Sequence, residues 1–178
     1  STAASAVYKG QRLLVVVGNI PFYNMTLTNN TFIGEYAYSL DSKGRVNVPA
    51  KFRQSLSEDN ENTFVITRGV DPCIWVYPLS HWKEIESNLR NLSSISKIHR
   101  TFVRNTARYA SPSTYDKQGR IILTPSLIDY AGLDKDVLII GMVNKIEIWD
   151  PGRLNTTDQQ NMEIDPAAYD ELADKIIL

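Results

Sequence analysis

The sequence predicts an α+β fold, mainly β, in which a unit of strand, turn, strand, short helix and hairpin occurs twice. The pentapeptide Asp-x-x-Gly-Arg stands at residues 41–45 and again at 116–120, and the same order of apolar and polar stretches follows each copy. Between the copies lie two segments with apolar residues at spacings of three and four, the helical period.

Residues 1–31 read as an N-terminal extension. Either the natural chain begins at Met25, or the run Leu-Leu-Val-Val-Val at 13–17, rich in β-favouring valine, adds a short strand. That run is far shorter than the roughly 20 residues needed to span a bilayer, and no secretion signal is evident.

The first half covers 32–79. Phe32, Gly34, Tyr36, Tyr38 and Leu40 alternate with other residues at the strand period of two. The turn at 41–45 leads into a second strand ending near Val48, and Pro49 suits the first position of a helix over 50–56. After a polar loop at 57–63, strands at 64–68 and 73–77 flank Gly69-Val-Asp-Pro72.

Linking helices occupy 80–108. Ser80 is placed to cap 82–92, with Trp82, Ile85, Leu89 and Leu92 on one face; Ser94 is placed to cap 95–107, with Ile95, Ile98, Phe102 and Thr106 towards the core. Pro112 forbids continuation of that helix.

The second half covers 109–155. Its turn at 116–120 is followed by Thr124 as a cap, Pro125 as first helical residue, Gly132 as stop, and strands at 137–141 and 145–149. The tail, 156–178, is acidic. Residues 155–165 are polar, and Asp165-Pro166 starts a short helix whose Tyr169, Leu172, Ile176 and Ile177 form an apolar set.

Composition excludes several classes. The 178 residues, 43% apolar, suffice for a hydrophobic core without covalent staples. A single cysteine, Cys73, rules out an internal disulfide, and with only His81 and His99 a zinc site within one chain has too few ligands. No glycine-rich phosphate loop, metalloprotease motif or catalytic triad pattern is present, so no cofactor and no enzymatic activity are expected. A reducing, cytoplasmic setting fits, with no membrane partner. Residues 1–31 carry +2 and 156–178 carry −5, which leaves 32–155 at +2 of the total of −1. A polyanion would therefore have to meet basic groups focused on one face or multiplied by oligomerisation.

In Asp-x-x-Gly-Arg, Asp41 and Asp116 suit a bracing role, accepting from the turn's own N–H groups, and Gly44 and Gly119 supply a positive φ. These are structural roles. Each Asp also has an arginine four residues on that keeps it ionised, which speaks against a carboxylate pair doing acid–base chemistry. Arg45 and Arg120 then leave their turns at strand starts, with Lys43 and Lys117 near the tips. A guanidinium on a rigid hairpin suits phosphate or the O6/N7 edge of guanine. Lys51 and Arg53, just after the first loop, are either further phosphate contacts beside Arg45 or solvated surface. Lys97, Arg100, Arg104 and Arg108 make a basic stripe, better read as the polar side of a helix. Trp75, Tyr77, Trp82 and Trp149 are packing or interface groups.

Gly34-Glu-Tyr36, Leu40-Asp-Ser-Lys-Gly-Arg-Val-Asn-Val-Pro-Ala-Lys-Phe-Arg53, Thr67-Arg-Gly69, Ile74-Trp-Val-Tyr-Pro78, Asp116-Lys-Gln-Gly-Arg120, Tyr130-Ala-Gly-Leu133 and Ile146-Glu-Ile-Trp149 together resemble the MraZ family over roughly 32–155. The resemblance implies a duplicated swapped-hairpin β-barrel similar to that of AbrB-like regulators. It further implies a homo-oligomeric ring that binds repeated promoter boxes of the cell-division and cell-wall gene cluster, at the nucleoid. By matching motif, Arg45 would contact DNA with Lys43 beside it and Arg120 as its counterpart. One departure is Thr124, where the first copy has Pro49. The competing reading is a structural or protein-binding ring that does not read DNA directly.

Overall fold

The computed structural model describes residues 29–161 and 165–176, preceded by the backbone of three short strands. Those strands, β1 (Ser5–Tyr8), β2 (Leu13–Val17) and β3 (Ile20–Pro21), form an antiparallel sheet of their own in the order β1-β2-β3. The 13–17 run is thus a strand; the suggested start at Met25 lies outside the described residues.

The first half contributes β4 (Phe32–Ser39), β5 (Arg45–Asn47), β6 (Thr63–Arg68) and β7 (Ile74–Pro78), and the second β8 (Ser111–Thr114), β9 (Arg120–Ile122), β10 (Asp136–Val143) and β11 (Ile146–Trp149). Six of these form an antiparallel sheet in the order β4-β10-β11-β7-β6-β8. The halves exchange strands: β4 lies along β10, from Phe32 opposite Val143 to Ser39 opposite Asp136, and β8 lies along β6. At the centre the two hairpins meet through β7 and β11, all four residues of β11 being buried. Pro112, expected only to end a helix, sits in edge strand β8, where no outer neighbour needs its missing N–H. The remaining strands, β5 and β9, pair only with each other. Among the described residues the ladders therefore form an open sheet and a ribbon, and hydrogen bonds do not close the barrel implied by the resemblance.

One core serves both halves. Phe32, Phe52, Phe64, Ile121, Leu127 and Ile148 are all buried in it, with Phe32 edge-on to Phe52 at 5.4 Å between ring centroids. Helices α1 (Ala50–Ser55) and α4 (Pro125–Ala131) contribute Phe52 and Leu127 from equivalent positions. Thr124 and Pro125 stand at the N-cap and first position of α4 as expected, and two details of the helix starts differ. Pro49 occupies the N-cap rather than the first helical position, and the Thr124 hydroxyl meets that of Ser126 at 3.3 Å instead of capping the backbone. Gly132 does end α4, at φ +60°.

Helix α2 (Leu79–Arg90) is not capped by Ser80: the buried Asn60 reaches in from the polar loop, and its Oδ1 accepts from Ser80 N at 2.8 Å. Helix α3 (Lys97–Ala107) starts at Ser96, two residues beyond the expected cap, and its expected core face points outward. Ile95, Ile98 and Phe102 are exposed. The helix attaches instead by its far end, where Thr67 Oγ1 donates to Thr106 O at 3.1 Å, and no layer among the described residues covers the apolar strip. Helix α5 (Pro151–Asn161) forms where a polar stretch was expected, because Asp150 caps it by accepting from Arg153 N at 2.9 Å. Helix α6 (Pro166–Ile176) starts in the same way from Asp165, which accepts from Ala167 N at 3.0 Å. None of the described helices is long and apolar enough to cross a membrane.

Candidate nucleic-acid interface

Each repeated loop is an Asp-braced turn. Asp41 Oδ1 accepts from the N–H groups of Lys43 and Arg45, both at 2.9 Å, while Gly44 N donates to Asp41 O at 3.0 Å. Asp116 repeats this with Gln118 N at 2.9 Å, Arg120 N at 3.0 Å and Gly119 N at 2.8 Å. Gly44 and Gly119 take φ of +71° and +79°, the left-handed region that glycine enters without a Cβ penalty. By position, Lys43 corresponds to Gln118 and Ser42 to Lys117, so the two loop lysines are not equivalents.

Each arginine then folds back on its own aspartate. Arg45 Nε donates to Asp41 Oδ2 at 2.7 Å; Arg120 uses both Nε, at 2.9 Å, and Nη2, at 2.6 Å, on Asp116 Oδ2. These bonds favour the ionised carboxylate. The Arg45 backbone N–H is the main cause holding Asp41 below the usual range, and the Arg120 side chain holds Asp116 down at about 2. A depressed folded-state pKa means that this stabilisation is complete above the ordinary value of 3.8 and fades as pH falls towards 2. A carboxyl NMR titration should place Asp116 near 2; a midpoint at or above 3.8 would show the bracing absent.

The β5–β9 ribbon brings the two loops together. Arg45 pairs with Ile122, Val46 with Ile121, and Asn47 with Arg120. Side chains alternate across a strand, so Val46 and Ile121, each 1% exposed, point into the core, while Arg45, Asn47, Arg120 and the exposed Ile122 share the other face. The two arginines are diagonal neighbours, about 7–8 Å apart by sheet geometry. Beyond the ladder, Leu123 N donates to Gly44 O at 2.8 Å and Val48 N to Gly119 O at 2.9 Å, so each loop is clamped by the strand of the other half.

The other basic candidates separate into two groups. Lys43, Lys117 and Lys51 are exposed. Arg53 donates from Nε to Val48 O at 3.1 Å and sets its guanidinium over the Tyr115 ring, just before the second loop, at 5.9 Å. A Cβ on Gly119 would lie 2.5 Å from Arg53 Cζ. Arg53 therefore supports the second loop through packing, at the position where α4 carries Ile128 against Gly44.

Among the described residues, Arg45 keeps both Nη groups unbonded and Arg120 keeps only Nη1. Their side chains are 28% and 23% exposed. The site is thus a rigid two-stranded ribbon presenting two oriented guanidinium groups, with exposed lysines at its rims. Asn47 and Ile122 belong to the same face, and no motif in the sequence marks them. The alternation Arg-Val-Asn-Val already placed Asn47 beside Arg45, but nothing local revealed the partner strand.

The remaining candidates lie elsewhere. Cys73 is buried, which pushes its thiol pKa upward; His81 stacks on Tyr77; His99 Nδ1 accepts from Ser93 N at 3.1 Å. Trp75 and Trp149 donate from Nε1 to the two oxygens of buried Glu147, at 2.9 and 2.8 Å, so these indoles anchor a core carboxylate. Arg100 Nη1 folds back onto Ser94 O at 2.9 Å.

Comparison with known proteins agrees with this duplication. The model of the MraZ protein family matches the chain twice, over residues 31–105 and 107–174. A protein of Natranaerobius thermophilus named transcriptional regulator MraZ is 44% identical over 146 residues, covering 82% of this chain and 96% of that protein. Proteins of the same name from Halothermothrix orenii and Pediococcus pentosaceus are 43% and 41% identical, covering 78% and 82% of this chain and 97% and 96% of their own lengths.

Proposed function

Because the chain belongs to the MraZ family, we propose that it is a transcriptional regulator that binds DNA sequence-specifically, acting on repeated promoter boxes of the cell-division and cell-wall gene cluster. The observation that carries this is the ribbon register, which sets both loop arginines on one solvent-facing side. A two-stranded ribbon fits the major groove, and the free Nη end of Arg45 suits bidentate bonding to guanine. Asp41 fixes that side chain beforehand, which lowers the ordering cost on binding. Arg120, more fully engaged by Asp116, suits a phosphate, as do Lys43, Lys117 and Lys51. Arg53 acts by holding the second loop.

A single chain carrying −1 overall has little attraction for DNA. A homo-oligomeric ring at the nucleoid, with each subunit on one box, supplies avidity instead, and boxes about 10 bp apart would offer the same groove to successive subunits. The exchange of strands between the halves supports reading the fold as a swapped-hairpin barrel.

A salt series on the DNA upstream of the gene is the direct test. Phosphate contact predicts that affinity falls steeply with salt, by about 0.9 in log–log slope for each neutralised phosphate. No binding at low salt, or binding indifferent to salt, would favour a ring that docks only proteins.

A further inference from the structure

Two apolar strips of this chain face solvent with opposite charge beside them. Ile95, just before α3, and Ile98 and Phe102 on it are 89%, 73% and 59% exposed. Lys97, Arg100, Arg104 and Arg108 accompany them, and 97–108 holds no acidic residue. On α6, Tyr169, Leu172 and Ile176 are 64%, 56% and 60% exposed, at the i, i+3, i+7 spacing of a helix that docks in a groove. Residues 165–176 carry Asp165, Asp170, Glu171 and Asp174 against the single Lys175.

Phe102 leads from the α3 strip into a cavity of about 610 Å³ between α2, α3 and the sheet, walled by Trp75, Tyr77, Trp82, Ile85 and Tyr130. Arg68 also lines it. Its guanidinium lies 3.4 Å from the Tyr109 ring centroid and 4.4 Å from that of Tyr130, and its Nε has no hydrogen-bond partner among the described residues. An aromatic groove bordered by cations, one of them lacking an acceptor, is complementary to an apolar helix that carries carboxylates.

We propose that α6 of a second copy of this chain docks on the α3 strip and into this groove, setting its Tyr169–Leu172–Ile176 face against Phe102 and its carboxylates against Arg104, Arg108 and Arg68. The chain's own α6 does not fill the role, since both strips are exposed in the same molecule. This inference rests on the reading of the protein as a homo-oligomer and names the contact. A groove on one copy taking a helix from the next is a head-to-tail contact, which closes into a ring when its rotation permits. It differs from the DNA-facing ribbon in every residue.

Disulfide trapping tests it on the full chain. Phe102→Cys and Leu172→Cys are exposed substitutions, and buried Cys73 with its raised thiol pKa does not compete. Mild oxidation of an equimolar mixture of the two variants, each melting like wild type, is expected to give a disulfide-linked dimer well above the level in either variant alone. No excess of dimer overturns the proposal, as does a chain carrying both substitutions that closes only on itself. Sedimentation of the wild type separates the two levels. Assembly without trapping refutes this contact alone; a monomer at micromolar concentration refutes the oligomer reading as well.

Discussion

Replacing Arg45 by alanine is expected to weaken binding to a single DNA box by about 1–3 kcal/mol, roughly 5- to 150-fold, and to relax base preference at one position. The expectation follows from the free Nη1 and Nη2 of Arg45, the end of the guanidinium that can bond bidentately, and from the Nε bond to Asp41 at 2.7 Å that fixes its direction. Arg120→Ala should cost less and do so evenly across sequences, because Nε and Nη2 of Arg120 are already committed to Asp116. Both variants should melt close to wild type, since a partly exposed ion pair contributes little to stability. Gel shifts with single-box DNA keep avidity out of the comparison. Equal affinity of wild type and Arg45→Ala on cognate DNA would remove the ribbon from the interface.

Phe32→Ala should lower folding stability by about 3–5 kcal/mol, the range for deleting a buried aromatic ring. Phe32 is fully buried, packs on both Phe52 and Phe64, and starts the strand that the first half lends to the second. For a chain of this length the loss corresponds to a fall in Tm of about 6–20 °C. Its neighbour Ile33 is 50% exposed, and Ile33→Ala should change stability by no more than about 0.5 kcal/mol. Urea titration of the three proteins measures the contrast. Similar midpoints for the two variants would mean that β4 is not held by the shared core.

What could be read from the chain depended on how far apart the interacting groups lie. The alternation from Phe32 to Leu40, the paired runs at 64–68 and 73–77, and the left-handed Gly132 were legible because a strand's faces and a helix's end are set by near neighbours. The two Asp-Pro starts are equally local, yet Asp150-Pro151 alone predicts no helix, because the segment after it lacks an apolar face. The cap of α2 was illegible for another reason: Asn60 lies 20 residues before Ser80, and nothing between them announces the contact. The outward face of α3 follows the same logic. Periodicity identifies an apolar strip, but only the surrounding layers determine whether it is covered, and among the described residues it is exposed.

The repeated Asp-x-x-Gly-Arg shows the division at its plainest. Within five residues the sequence by itself determined a turn, its braced carboxylate, its left-handed glycine and an arginine at the strand start, because every one of those hydrogen bonds spans four residues or fewer. Only the tertiary structure decided that β5 pairs with β9 in the register that puts Arg45 and Arg120 on one face. Only it sent Arg53 to the opposite loop and left Arg45 with the freer guanidinium. Those outcomes depend on hydrogen bonds and packing between residues some 70 positions apart, such as Leu123 N to Gly44 O, and a local pattern carries no information about a partner that distant.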